Sequence, residues 1–255
     1  MACLLPYLTA DLLVAAYILA AAFAAGAMRG YSGFGFALAA VPLLTVPWPP
    51  CLAIPVVLVQ EIVLSLALLP RICSSIDRRS VFKLILGALI GTPVGVGVLS
   101  SLRPDLIRLG IGSLLLVFVW ALWAPSRVQK PPSTLRALLA GTASGVLSGG
   151  TAMSGPPIIG YYLHHYSSAD ISRASMMAYF MASSAISIVI GGTSGVYESH
   201  FLFYAIALAP FAVAGSILGN RCFAIFPTSA YRRFTLIVLA GLGIYTLASE
   251  SLSFH

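Results

Sequence analysis

Two glycine-rich stretches of this 255-residue chain superimpose without a gap: Gly26-Ala-Met-Arg-Gly30-Tyr-Ser-Gly-Phe-Gly35-Phe-Ala-Leu-Ala-Ala-Val-Pro42 and Gly141-Thr-Ala-Ser-Gly145-Val-Leu-Ser-Gly-Gly150-Thr-Ala-Met-Ser-Gly-Pro-Pro157. Gly26, Gly30, Gly35, Ala37 and Pro42 fall on Gly141, Gly145, Gly150, Ala152 and Pro157, each 115 positions further on. A chain with this register is a duplication and folds as two copies of one plan. In an apolar context, glycine- and proline-interrupted segments at matching places in two halves point to a transport site at the repeat interface.

The context is apolar throughout. Hydrophobic residues make up 59% of the chain and charged residues 8%, with a mean hydropathy of +0.98, so a single transmembrane bundle with short loops is expected and a soluble domain is not. The run from Leu12 to Ala27 lacks a basic leader, since Asp11 precedes it and Arg29 follows it. It ends in the first glycine motif, so it reads as a retained helix rather than a signal peptide. The net charge of +7 suits cytoplasmic loops rather than nucleic acid as a partner. Cys3, Cys51, Cys73 and Cys222 have no metal-type spacing, and neither a metal nor a cofactor is expected.

Hydrophobic segments are predicted near 8–30, 36–48, 51–70, 80–101, 104–124, 134–149, 154–166, 170–191, 200–221 and 229–250. Segments 36–48 and 154–166, at 1.5 Å per residue, reach only about 20 Å against a hydrocarbon core of about 30 Å. They are half-helices or strongly tilted ones. Lys and Arg minus Asp and Glu gives +3 for each of 71–83, 124–137 and 220–233, against +1 for 100–109 and −1 for 191–202. The first three loops then face the cytoplasm, both termini lie outside, and the halves enter the membrane with opposite orientation. The expected fold is an all-α polytopic membrane protein of two inverted repeats, each of about five helical segments. The repeats occupy 1–124 and 134–255 with a cytoplasmic linker at 125–133, and together they form one membrane domain. Later in the halves, Gly91, Gly95 and Arg108 match Gly215, Gly219 and Arg232 at an offset of 124, which implies extra residues around Gly191–Glu198. Gly87, Gly91 and Gly95 lay bare one helix face, as close helix packing requires.

Chemistry is expected where the helices break. Gly30-Tyr31-Ser32-Gly33-Phe34-Gly35 is a poor continuous helix, because each glycine costs about 1 kcal/mol relative to alanine, and unwound backbone in a bilayer needs a protein-lined cavity. A helix restarting after such a break offers free N–H groups and a positive dipole end to an anion. Two such starts, from about Phe36 and Thr151, are expected to face each other. Gly30, Tyr31, Ser32, Gly33 and Gly35 from the first motif, with Ser148, Gly149, Gly150, Thr151 and Ser154 from the second, are the candidate binding residues. Pro42, Pro156 and Pro157 mark the broken segments, although tight helix crossing also explains the glycines. Glu61, beside Gln60 in an apolar span, suits either a proton relay or a neutral acid hydrogen-bonded across helices. Arg29 and Arg173 either neutralise an anion on its path or snorkel to the headgroups. His164 and His165 read as a solvated pair at a helix end, and Trp48, Trp120 and Trp123 as interfacial anchors.

These residues resemble the TauE/SafE sulfite-exporter family. The likeness rests on Gly30-Tyr-Ser-Gly-Phe-Gly35 followed by Pro42-Leu-Leu, the degenerate copy Gly145-Val-Leu-Ser-Gly-Gly150 with Pro157, and Arg173-Ala174 opening the next helix. It covers essentially the whole chain. The resemblance implies a secondary transporter in the cell membrane for small sulfur-containing anions, such as sulfite or organosulfonates, driven by an ion gradient of proton type. Phe34 and Phe36 flank Gly35 where many relatives carry a triple glycine, which implies a narrower or more apolar cavity. The expected partners are the anion, protons and membrane lipids, with a second copy of the chain as a further one.

Two rivals remain at this level. Gly30-Tyr31-Ser32-Gly33 is a GxSG of the type in intramembrane serine proteases, but such a hydrolase needs a histidine near the serine at membrane depth, and none of the four histidines is placed for it. A passive anion channel also uses facing helix N-termini.

Overall fold

The structure, a computed structural model, describes residues 12–32, 35–123, 133–165, 169–198, 200–223, 240–241 and 243–246. Among the described residues there are helices and no β-strand. The path runs α1 Leu12–Ser32, α2 Phe36–Leu44, α3 Pro50–Ile72, α4 Arg78–Ser101, α5 Pro104–Trp123, α6 Thr134–Thr151, α7 Gly155–His165, α8 Ala169–Thr193 and α9 Phe201–Phe223. Segments 1–11, 124–132, 224–239 and 247–255 lie outside the described residues, and with them the expected ends of both repeats and most of the linker. Five described stretches are long and apolar enough to cross a membrane: Leu12–Gly30, Pro50–Ala67, Arg78–Ser101, Asp170–Thr193 and Phe201–Arg221. This is an all-α polytopic membrane protein.

Local chemistry sets several boundaries. Asp77 caps α4 by accepting from the amides of Arg79 at 3.1 Å and Ser80 at 3.3 Å, which satisfies orphan donors of the first turn. Its own amide donates to Ser175 Oγ of α8 at 2.9 Å, tying that corner together. α3 runs through the centre, with Ala53, Ile54, Val56, Val57 and Leu58 essentially without solvent exposure. The outward faces of α4 and α9 expose Ile90, Val94 and Ile206, side chains suited to hydrocarbon.

The helices pair most extensively as α4 with α6 and α1 with α9. Glycine makes both pairs possible. A Cβ on Gly87, Gly91 or Gly95 of α4 would overlap the backbone of Leu138, Thr142 or Val146 of α6, and one on Gly141, Gly145 or Gly149 would strike Leu84, Ala88 or Thr92. On the other pair, Gly26 and Gly30 meet the carbonyls of Ala212 and Ser216, while Gly215 and Gly219 meet those of Phe23 and Ala27. Helices in lipid gain no hydrophobic drive from one another, so close backbone approach supplies the dispersion that holds them. The expected packing role of Gly87, Gly91 and Gly95 is therefore observed, and it extends to the first glycines of each motif.

Three expectations are corrected, and one alternative is decided. The first short segment is shorter than 36–48: α2 has 9 residues, spanning roughly 14 Å, while α7 is described over 11 residues up to His165, beyond which 166–168 lie outside the described residues. Thr151 closes α6 instead of opening the following helix, because Gly149 and Gly150 stay helical against the backbones of Thr92 and Gly95. Trp48 is buried rather than an interfacial anchor, its ring centroid 5.0 Å from that of Tyr204. Arg29 does not snorkel: it is fully buried, held by an acidic partner on α3.

Candidate functional site

The first break lies between Ser32 and Phe36. Gly35 sits at φ 95°, a left-handed conformation that any side chain strains. It gives α2 no side-chain cap. Its carbonyl accepts the Ala39 amide at 3.2 Å, while the first amides of α2 have no partner within the helix and point toward the break. Gly33 lies outside the described residues, as do the side chains of Tyr31 and Ser32. Pro42 is inside α2.

The second break spans Ala152–Ser154 and is built differently. Ala152 takes φ 58° and its amide donates to the Ser148 carbonyl at 2.9 Å, ending α6. Thr151 donates its hydroxyl to the Leu147 carbonyl at 2.8 Å and accepts from the Met153 amide at 3.4 Å. Ser144, which the sequence did not single out, donates to the Ser154 carbonyl at 2.6 Å across the break. Ser148 shares a hydrogen bond of 2.9 Å with Ser187 of α8. Pro156 and Pro157 occupy the second and third positions of α7, which removes two amide donors from its first turn. The two starts thus differ in strength, with α2 offering more N–H groups than α7.

The two starts approach each other at one point. A Cβ on Gly155, the first residue of α7, would lie 3.7 Å from Leu38 Cδ1 in the first turn of α2. Of the other candidates, Gly30 and Gly149 face neighbouring helix backbone, and Gly150 lies more loosely against Gly95.

Near the end of α1, Arg29 pairs with Glu61 of α3 through Nη1 and Oε1, and its Nη2 donates to Ser65 Oγ at 2.7 Å. Both charged side chains are buried, and Arg29 Nε and Glu61 Oε2 have no hydrogen-bond partner. Arg173 of α8 reaches the same turn, donating from Nη2 to the Gly30 carbonyl at 3.4 Å. Gln60 points elsewhere, with Nε2 3.4 Å from the Ala205 carbonyl of α9. A charge without a counter-ion at this depth is costly. The Arg29–Glu61 pairing escaped the sequence reading, although two ionisable groups inside neighbouring apolar spans were its available signal.

On the far side of α8, the extra residues expected around Gly191–Glu198 form a strap. Tyr197 folds back over Gly191, where a side chain would collide with its ring, and donates its hydroxyl to the Ser187 carbonyl at 3.1 Å. Burial pushes that phenol well above its ordinary range, so it stays a donor. Glu198 accepts from Cys51 Sγ at 3.5 Å, joining the strap to the start of α3.

The family model described as sulfite exporter TauE/SafE matches residues 18–246. A probable sulfite/organosulfonate exporter TauE of Cupriavidus necator is 27% identical over 179 residues, covering 69% of this chain and 70% of that protein. No solved structure matches the chain.

Proposed function

The chain belongs to the TauE/SafE sulfite-exporter family, a family of transporters rather than enzymes, and on that premise we propose that it carries a small sulfur-containing anion across the cell membrane by alternating access. The substrate class, sulfite or an organosulfonate, is that of the probable exporter from Cupriavidus necator. The observation that carries the reading is the approach of two helix starts, α2 and α7, in a bundle that also holds a buried cation, Arg29. Helix N-termini and guanidinium groups are the standard means of holding an oxyanion.

In this reading the halves 1–124 and 134–255 are inverted repeats that rock about the breaks, with both termini outside. The exchange of partners supports it, since the first described helix of each half packs on the fourth described helix of the other. Protons are the coupling ion and Glu61 is the relay. The substrate lies between the two motifs, with the amides of α2 as the main donors and Ser32, Ser148, Thr151 and Ser154 around them. Thr151 turns its hydroxyl to the anion only by leaving the Leu147 carbonyl, which makes its contribution a property of the bound state.

Ligand-induced stabilisation of the purified protein tests the substrate class. An anion that binds only the folded state at one hundred times its Kd adds about 2.7 kcal/mol. Sulfite, thiosulfate, sulfoacetate or taurine is expected to raise the unfolding temperature while chloride at equal ionic strength does not. Equal shifts from all anions would count against a specific site.

A further inference from the structure

We propose that Arg29 is the cation that binds the transported anion, and that Glu61 occupies it as an internal substitute until a proton releases it. The inference rests on the transport reading above and assigns the coupling to one exchange at one guanidinium. Arg29 holds two acceptors, the Glu61 carboxylate and Ser65 Oγ. It keeps a third donor, Nε, buried with no acceptor, and Glu61 likewise keeps Oε2 buried with no donor. An oxyanion offers several acceptor oxygens to such a fork, and the place beside Nη1 that Glu61 occupies opens to it when Glu61 leaves.

The charges balance. Glu61 takes a proton from the aqueous side and becomes a neutral acid, Arg29 stays protonated, and the anion takes the place of the carboxylate. Before and after, the site is neutral. A state with protonated Glu61 and no anion leaves an uncompensated guanidinium in the bundle, a strongly disfavoured arrangement. The proton therefore enters with the anion and not alone, and a singly charged anion moves without net charge transfer.

The neighbouring ionisable groups are otherwise engaged. On α1, Tyr17 donates to the Leu43 carbonyl, and α2 carries no titratable side chain. On α3, Cys51 bonds to Glu198. On α5, Arg103 pairs with Asp105 and Arg108 reaches the Trp48 carbonyl. On α8, Arg173 holds the Gly30 carbonyl and Tyr179 the Gly141 carbonyl, while Asp170 is exposed. On α9, Tyr204 packs on Trp48 and Arg221 is exposed. Glu61 is thus the acid paired with Arg29, and Arg173 is a second cation that reaches the same turn of α1 at the Gly30 carbonyl.

The test uses methanesulfonate, which remains singly charged from mildly acidic to mildly alkaline pH, and follows binding by thermal shift and titration on the full chain in nanodiscs. Wild-type affinity is expected to fall by about tenfold per pH unit as the proton that must enter with the anion becomes scarcer. Glu61→Gln, a permanent mimic of the neutral acid, is expected to bind with no pH dependence and to gain more stability from methanesulfonate than wild type at neutral pH. The double variant Arg29→Gln/Glu61→Gln removes both charges, so it keeps its fold and loses binding. A pH-independent wild-type affinity, a wild-type slope in Glu61→Gln, or wild-type binding by the double variant overturns the exchange while leaving anion transport standing. Absence of any methanesulfonate binding by wild type overturns both.

Discussion

Ser144 donates its hydroxyl to the carbonyl of Ser154 at 2.6 Å, so the helix before the second break holds the chain that comes after it. The first break lacks a described counterpart and relies on a left-handed glycine instead. One opening in the backbone is pinned by a side chain and the other by conformation.

Ser144→Ala removes that buried donor and leaves the Ser154 carbonyl without it. A loss of about 1–2 kcal/mol is expected, with slower anion flux because the start of α7 is no longer held. Thermal unfolding and flux on the same preparation check this. Unchanged values for both would show that the contact does not position the break.

The left-handed residues at the two breaks predict substitutions of opposite sign. Gly35→Ala forces a Cβ onto φ 95° and is expected to cost about 1–2 kcal/mol. Ala152→Gly relieves the same strain at φ 58° and is expected to raise stability by up to about 1 kcal/mol, reduced by the greater freedom of glycine in the unfolded chain. Unfolding temperatures of the two variants decide it.

α4 contains its own control for the packing argument. A side chain at Gly91 meets the backbone of Thr142, whereas one at Gly97 meets nothing within 4 Å. Gly91→Val is therefore expected to lower the unfolding temperature by several degrees and to broaden the size-exclusion profile, while Gly97→Val leaves both unchanged. Equal effects would mean that glycine in α4 serves flexibility rather than approach.

The Arg29–Glu61 pair predicts strong non-additivity. Removing either partner alone strands a buried charge, an effect of about 3–5 kcal/mol, whereas removing both leaves two neutral groups. A double-mutant cycle with Arg29→Gln and Glu61→Gln, read by unfolding, is expected to show the double variant well above the sum of the single losses. Additive losses would mean that the two charges do not depend on each other.

Much of this architecture was legible in the residues. Apolar runs located the long helices, and the glycine motifs located both breaks, because glycine is where helices in lipid either touch or open. Whether a given glycine does one or the other was not legible. Gly30 and Gly149 pack against backbone and Gly35 turns the chain, a difference set by which helix lies opposite. For the same reason the second break falls at Ala152 rather than at the position aligned with Gly35. The burial of Trp48 and the pairing of Arg29 with Glu61 escaped periodicity because both depend on lateral neighbours. Glu61 and Arg29 were each visible as costly residues in apolar spans; their mutual satisfaction was visible only once α1 lay beside α3.

Sulfonate uptake into proteoliposomes, with and without an imposed pH gradient and with the membrane potential clamped, tests the central claim most directly. The account predicts accumulation above the equilibrium level when the gradient supplies protons on the side of the anion, and loss of that accumulation in Glu61→Gln. Flux that follows only voltage and the anion gradient, unaltered by pH and by the substitution, would contradict it and make the protein a passive anion pathway.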